Sequence, residues 1–173
     1  MVRSAPPLLL LSLAWLASCG EDPVIADWRD CTYASPDDPP EDADAWYACV
    51  DERVQDGEGC GPDGYLLGFG GKYAERYMVE VRPGLSEAGQ AFLDGVLVCL
   101  QEGLAAGMSD DPTCDAIETA GFGAHAPCYE ANGFCDLPIE DVARIAAAID
   151  AEDQGIPAEQ EAIEAIQAKR TEG

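Results

Sequence analysis

The chain has 173 residues, enough for one domain with its own core, and carries 34 acidic against 9 basic residues, a formal net charge of −25. That surplus of negative charge excludes a nucleic-acid binder and a protein held to anionic lipid by electrostatics. The single histidine, His125, excludes multi-histidine zinc sites, and the eight cysteines raise the question of redox compartment.

Residues 1–18 read as an export signal, with Arg3 as a short basic start and Leu8 to Leu16 as an apolar run too short to span a bilayer. Leu16, Ala17 and Ser18 stand directly before Cys19, which resembles the lipobox of bacterial lipoproteins. The resemblance implies cleavage ahead of Cys19, diacylglyceryl transfer to its thiol and acylation of the new N-terminus. Two or three acyl chains, at about 0.8 kcal/mol per buried methylene, make such an anchor stable. Gly20 after Cys19, in place of Asp, points to the outer membrane or cell surface. The other cysteines are Cys31, Cys49, Cys60, Cys99, Cys114, Cys128 and Cys135. In an exported protein they are expected in disulfides, but seven is odd and one is left over.

Residues 19–42 mix proline and acid with few apolar side chains and read as a tether whose far end, with Trp28 and Cys31, docks on the domain behind it. Residues 43–173 read as a helical domain. Trp46, Val50 and Val54 recur every four residues and predict a first helix. Tyr65, Phe69, Tyr73 and Tyr77 keep the same spacing, although Gly68, Gly70 and Gly71 each cost up to about 1 kcal/mol against alanine, so this helix is expected to be weak. Pro83 and Gly84 then break the chain.

Ser86 is a good N-cap for a central helix whose apolar face holds Phe92, Val96, Cys99, Leu100 and Leu104. Asp111 with Pro112 predicts the start of a helix that carries Ile117 and Ala120 and stops at Gly121. A short turn is expected around Cys128 and Tyr129, ending at Asn132 and Gly133. After Pro138, Ile139, Val142, Ile145, Ala146 and Ile149 predict an amphipathic helix. A last helix is expected from Pro157, with Glu159 and Glu161 in its first turn and Lys169 and Arg170 in its last. No strand pattern of any length occurs, so the fold class is all-α, a bundle of short antiparallel helices stapled by disulfides.

Three features together resemble the stanniocalcin family: "CGPDG" at Cys60 to Gly64, "GQAFLDGVLVCL" at Gly89 to Leu100, and Cys114 followed after thirteen residues by Cys128–Tyr129 and after six more by Cys135. The match covers about residues 60–136. It implies a helical disulfide domain that binds rather than catalyses, since animal stanniocalcins are secreted hormones that include inhibitors of a secreted metalloprotease. It also implies pairing of Cys60 with Cys114 and Cys99 with Cys128, and Cys31 with Cys49 would resemble the family's first bridge. Cys135 is then a free thiol or a link to a second chain in a disulfide dimer. Beside the acid Asp136 it is not read as a nucleophile, because a reactive thiolate needs electropositive surroundings. The only Asn, Asn132 in "NGF", is no glycan acceptor, unlike in the family's animal members.

His125 in "GAHAP" is expected on a glycine-flanked, solvent-facing loop, and no enzyme is expected. The segment Asp150 to Glu161 places acids at its first, third and twelfth positions and Gly155 at its sixth, as an EF-hand loop does. Glu152 is longer than the usual ligand and Ala158 supplies none. Asp150, Glu152 and Glu161 are therefore weak calcium ligands, and a hairpin capped by acids is the expectation. The chain thus reads as an exported, lipid-anchored, non-enzymatic protein with an unidentified protein partner, touching the membrane only through its lipid and binding no nucleic acid. An acidic calcium-binding surface protein is the alternative, and no other cofactor is expected.

Overall fold

The computed structural model describes residues 26–153, and these are helical, with no strand among them. The signal, Cys19, the calcium-ligand candidate Glu161 and the helix expected from Pro157 lie outside the described residues. A single turn at Trp28–Asp30 precedes α1 (Ala45–Asp51). A long helix follows, built from a π-helical segment at Tyr65–Gly71, α2 (Lys72–Arg76) and a second π-helical segment at Tyr77–Val81. Then come α3 (Glu87–Gly107), α4 (Cys114–Ala131) and α5 (Ile139–Ala147). No described helix is long and apolar enough to cross a membrane.

The docked end of the N-terminal segment is held in two ways. Trp28 and Cys31 are buried with Trp46 and Val50 in one apolar cluster. Further on, the Ala34 amide donates 2.8 Å to Oε1 of Gln101, a side chain fully buried in α3. A buried glutamine is costly where its polar atoms are unmet; this bond meets Oε1, while Nε2 has no partner, and it ties the segment to the central helix.

α1 is shorter than its apolar spacing predicts. It stops at Asp51, and Val54 reaches the core from extended backbone instead. The buried Asp51 carboxylate accepts from the Cys60 amide at 2.8 Å, which turns the chain back towards the aromatic helix. That helix forms despite its glycines because its aromatic side is buried and Gly70 packs where a Cβ would lie 2.6 Å from the Tyr47 ring. Tertiary packing outweighs propensity here.

α3 and α4 are antiparallel and pack more extensively than any other pair. The reason is a stripe of small residues at four-residue spacing. Gly95 faces Asn132, Cys99 bonds Cys128, Gly103 faces Ala124 and Gly107 faces Ala120. A Cβ added at Gly103 or Gly107 would lie 2.9 or 2.8 Å from the facing alanine Cβ. Rows four apart on both helices thus interlock, as ridges into grooves do.

α4 departs from expectation at both ends. Its cap is Thr113, whose hydroxyl accepts from the Ala116 amide at 3.2 Å, and not Asp111. Nor does it stop at Gly121, where the expected turn around Cys128 would begin after a loop; it runs through Pro127 to Ala131. Gly121 is a site of close approach: a Cβ there would lie 2.2 Å from Tyr65 Cζ. An interior proline costs about 3 kcal/mol or more, and here the contact with α3 and the neighbouring Cys99–Cys128 bond hold the helix together.

α3 begins as predicted. Ser86 accepts from the Gly89 amide at 3.2 Å, and Asp141 of α5 accepts from the Ser86 amide and hydroxyl. This contact behind the cap sets the rotation of α5. Asp141 and Ile145, one turn apart, face inward, while Ile139, expected on the apolar face, is 66% exposed.

Candidate functional site

Three disulfides join Cys31 to Cys49, Cys60 to Cys114 and Cys99 to Cys128, the same pairs that the stanniocalcin resemblance implies. Cys135 is free and half-buried in the turn Phe134–Asp136.

His125 is not on a solvent-facing loop. It lies within α4, 5% exposed, because α4 continues through Gly121, where it was expected to end. Its ring stands 5.7 Å from Phe122, 5.9 Å from Phe69 and 5.6 Å from Tyr129. Burial pulls the imidazole down to about 4. The Phe122 and Gly121 carbonyls, one turn back, act in the opposite direction, but neither completes a hydrogen bond to the buried Nδ1. The ring is therefore neutral through the physiological range.

Beside it is a cavity of about 50 Å³, bounded by the aromatic helix, α3, α4 and α5. Tyr65, Phe69 and Tyr73 come from one wall, Phe92 and Val96 from α3, and Ile145 from α5. No charged side chain lines it. Burial also raises the Tyr47 and Tyr65 hydroxyls well above their ordinary range, so both stay protonated. The π-helical winding of the aromatic wall is an arrangement rare in folded proteins and enriched at functional sites.

The end of α5 is clasped to that wall by charge. Lys72 Nζ lies 2.6 Å from Asp150 and 2.7 Å from Asp153. Arg76 grips Asp150 with two nitrogens, at 2.8 and 3.1 Å, and also donates to the Ala148 carbonyl at 2.8 Å. The Tyr73 hydroxyl donates to Asp153 at 2.6 Å and accepts from the Asp150 amide at 2.9 Å. Hydrogen bonds from Arg76 and then Lys72 hold the Asp150 carboxyl down at about 2. Asp150 thus faces cations of its own chain, and Glu152 is exposed to solvent. Among the described residues no group of three or more His, Cys, Asp or Glu stands together as a metal site does.

The aromatic spacing at residues 65, 69, 73 and 77 announced one wall of the cavity. The apolar faces of α3 and α5 that form other walls carried the same kind of local signal, but their meeting with α4 around one cavity did not, because it depends on the fold. Comparisons with protein-family models, with curated proteins and with solved structures find no match for the chain.

Proposed function

We propose that this protein is an exported lipoprotein, anchored through Cys19 at the outer membrane or cell surface, whose stanniocalcin-like helical domain acts by binding a protein partner and not by catalysis. The observation that carries this reading is the pairing of Cys60 with Cys114 and Cys99 with Cys128 behind a lipobox. Disulfides form and persist in oxidising compartments.

The distribution of charge supports a partner with a basic face. Arg29, Lys72, Arg76 and Arg82 are all engaged by carboxylates of the same chain, at Asp27 and Asp110, at Asp150 and Asp153, and at Asp94. The acids that remain leave a strongly negative surface, which steers a basic partner and repels nucleic acid. The sole imidazole is buried among rings, and that burial makes it a weak base, which favours binding over general-base chemistry.

The test is non-reducing peptide mass mapping of protein taken from its native membrane, with free thiols alkylated first. The expected result is an acylated Cys19, the three observed pairs, and Cys135 either alkylated or joined to a second chain. An unmodified Cys19 paired with Cys135 would overturn the lipoprotein reading.

A further inference from the structure

The N-terminal segment is fastened to the domain within a few residues of Ala26, where the described residues begin. Trp28 is buried in the cluster around Trp46, and Cys31 is bonded to Cys49. Beside Trp28, the Asp27 carbonyl accepts from Arg53 Nη1 at 2.9 Å, and Arg29 pairs with Asp110. Gln55 Nε2 closes the same corner by donating to the Pro112 carbonyl at 2.6 Å. Ala26 therefore lines a groove between residues 53–56 and the α3–α4 connection, and the chain enters the domain at one end of the α3–α4 pair.

Only residues 20–25 separate Ala26 from Cys19. These seven residue steps, at about 3.3–3.6 Å each when fully extended, reach about 25 Å at most, and a flexible coil of that length averages roughly 15 Å. Trp28, Cys31, Ala34 and Ala43 are all buried, so the segment gains no reach beyond Ala26. The domain is longer than this leash. From the entry corner, α3 and α4, of 21 and 18 residues, run about 32 and 27 Å at a rise of about 1.5 Å per residue. Their other end carries the Ser86 cap, the Phe134–Asp136 turn and the start of α5, whose Asp141 accepts from the Ser86 amide. Arg29, Lys72, Arg76 and Arg82 are engaged by carboxylates, which leaves no basic face among the described residues to grip anionic headgroups and turn the domain over.

We propose that the corner formed by residues 26–29, residues 53–56 and the α3–α4 connection is the membrane-facing end of the domain. The opposite end, with the start of α3, the Phe134–Asp136 turn and the start of α5, is then turned outward to the partner. This rests on the anchoring of Cys19 and adds which end of the molecule the anchor holds down.

The experiment uses the acylated protein from its membrane, added to phosphatidylcholine–phosphatidylglycerol vesicles whose headgroups carry a short-range energy-transfer acceptor. A donor dye is attached at Ser109→Cys in the α3–α4 connection or at Ala131→Cys at the end of α4, both exposed positions, each combined with Cys135→Ser so that one thiol reacts. Transfer from residue 109 is expected to be several-fold stronger than from residue 131. About twenty Gly/Ser residues inserted after Asp22 lengthen the average leash to roughly 30 Å and are expected to bring the two ends close to equality. Where a thiol variant does not fold, Asp111→Cys and Glu87→Cys report the same two ends. Equal transfer from both ends of vesicle-bound protein, or stronger transfer from residue 131, overturns the orientation while the anchor stands. A difference that survives the longer leash overturns the leash as its cause. Protein that does not float with the vesicles overturns the anchor itself, and the orientation with it.

Discussion

The two halves of the core are closed by different means. Around Trp46, the cluster of Trp28, Val50, Leu66, Leu104 and Ile117 is tied by Cys31–Cys49 and Cys60–Cys114, so its segments stay joined whatever the solvent. Around Phe92, the cluster of Leu93, Val96, Leu97, Leu137 and Ile145 is fastened by carboxylates: the buried Asp141 on Ser86, and nearer the surface Asp94 on Arg82 and Asp150 with Asp153 on Lys72 and Arg76. Covalent staples act mainly on the unfolded chain, whereas polar fasteners act on the native state and depend on pH and salt. One half should therefore answer to reductant and the other to solvent. The cavity lies between them, and the Cys99–Cys128 bond keeps α3 and α4 in register across the divide.

The largest expected effect is in the stapled half. Replacing Cys60 and Cys114 together by alanine opens a link spanning 54 residues and should cost about 4 kcal/mol in the chain-entropy picture. Chemical denaturation reads it, and a loss below about 1 kcal/mol would mean that the two halves do not differ in how they are held. Next is acid. The folded His125 titrates at about 4, below its unfolded value of about 6.5, so the unfolded chain is the better proton binder. Its contribution is fully present above about pH 6.5 and falls as pH drops through that value towards 4, by about 3 kcal/mol in all. Stability measured from pH 7 to 4 should show this slope, and His125→Phe should remove that part of it.

Single contacts give smaller effects. Gly103→Val forces a branched side chain against Ala124 and should destabilise by about 1–3 kcal/mol, read as a lowered denaturation midpoint with the disulfides intact. Ser86→Ala removes the cap and the partner of Asp141, at about 1 kcal/mol. The smallest change is expected at the clasp. Lys72→Met removes a contact between side chains still a fifth to a third exposed, so its effect should shrink as salt rises. With the folded Asp150 at about 2, the clasp's support is present above the ordinary carboxylate range and lost as pH falls through 2. Hydrogen exchange at α5 is the readout, and protection that ignores both salt and the substitution would show that the clasp does not hold α5.

The helical class, the cap at Ser86 and the apolar face of α3 were legible in residue order, since each is a local matter of spacing and propensity. So was the aromatic row from Tyr65 to Tyr77, whose glycines argued only for weakness. Residue order alone settles where apolar and capping residues recur along the chain. The tertiary structure was needed to decide that α4 passes through Gly121 and Pro127, that His125 is interior, and that α5 turns Asp141 inward and Ile139 outward. A glycine reads as a stop when its neighbours in space are unknown, yet Gly121, Gly103 and Gly107 are bare because a ring or a facing alanine fills the position of the missing Cβ. Proline in a helix and an inward carboxylate are unfavourable alone, and only partners distant in the chain make them stable.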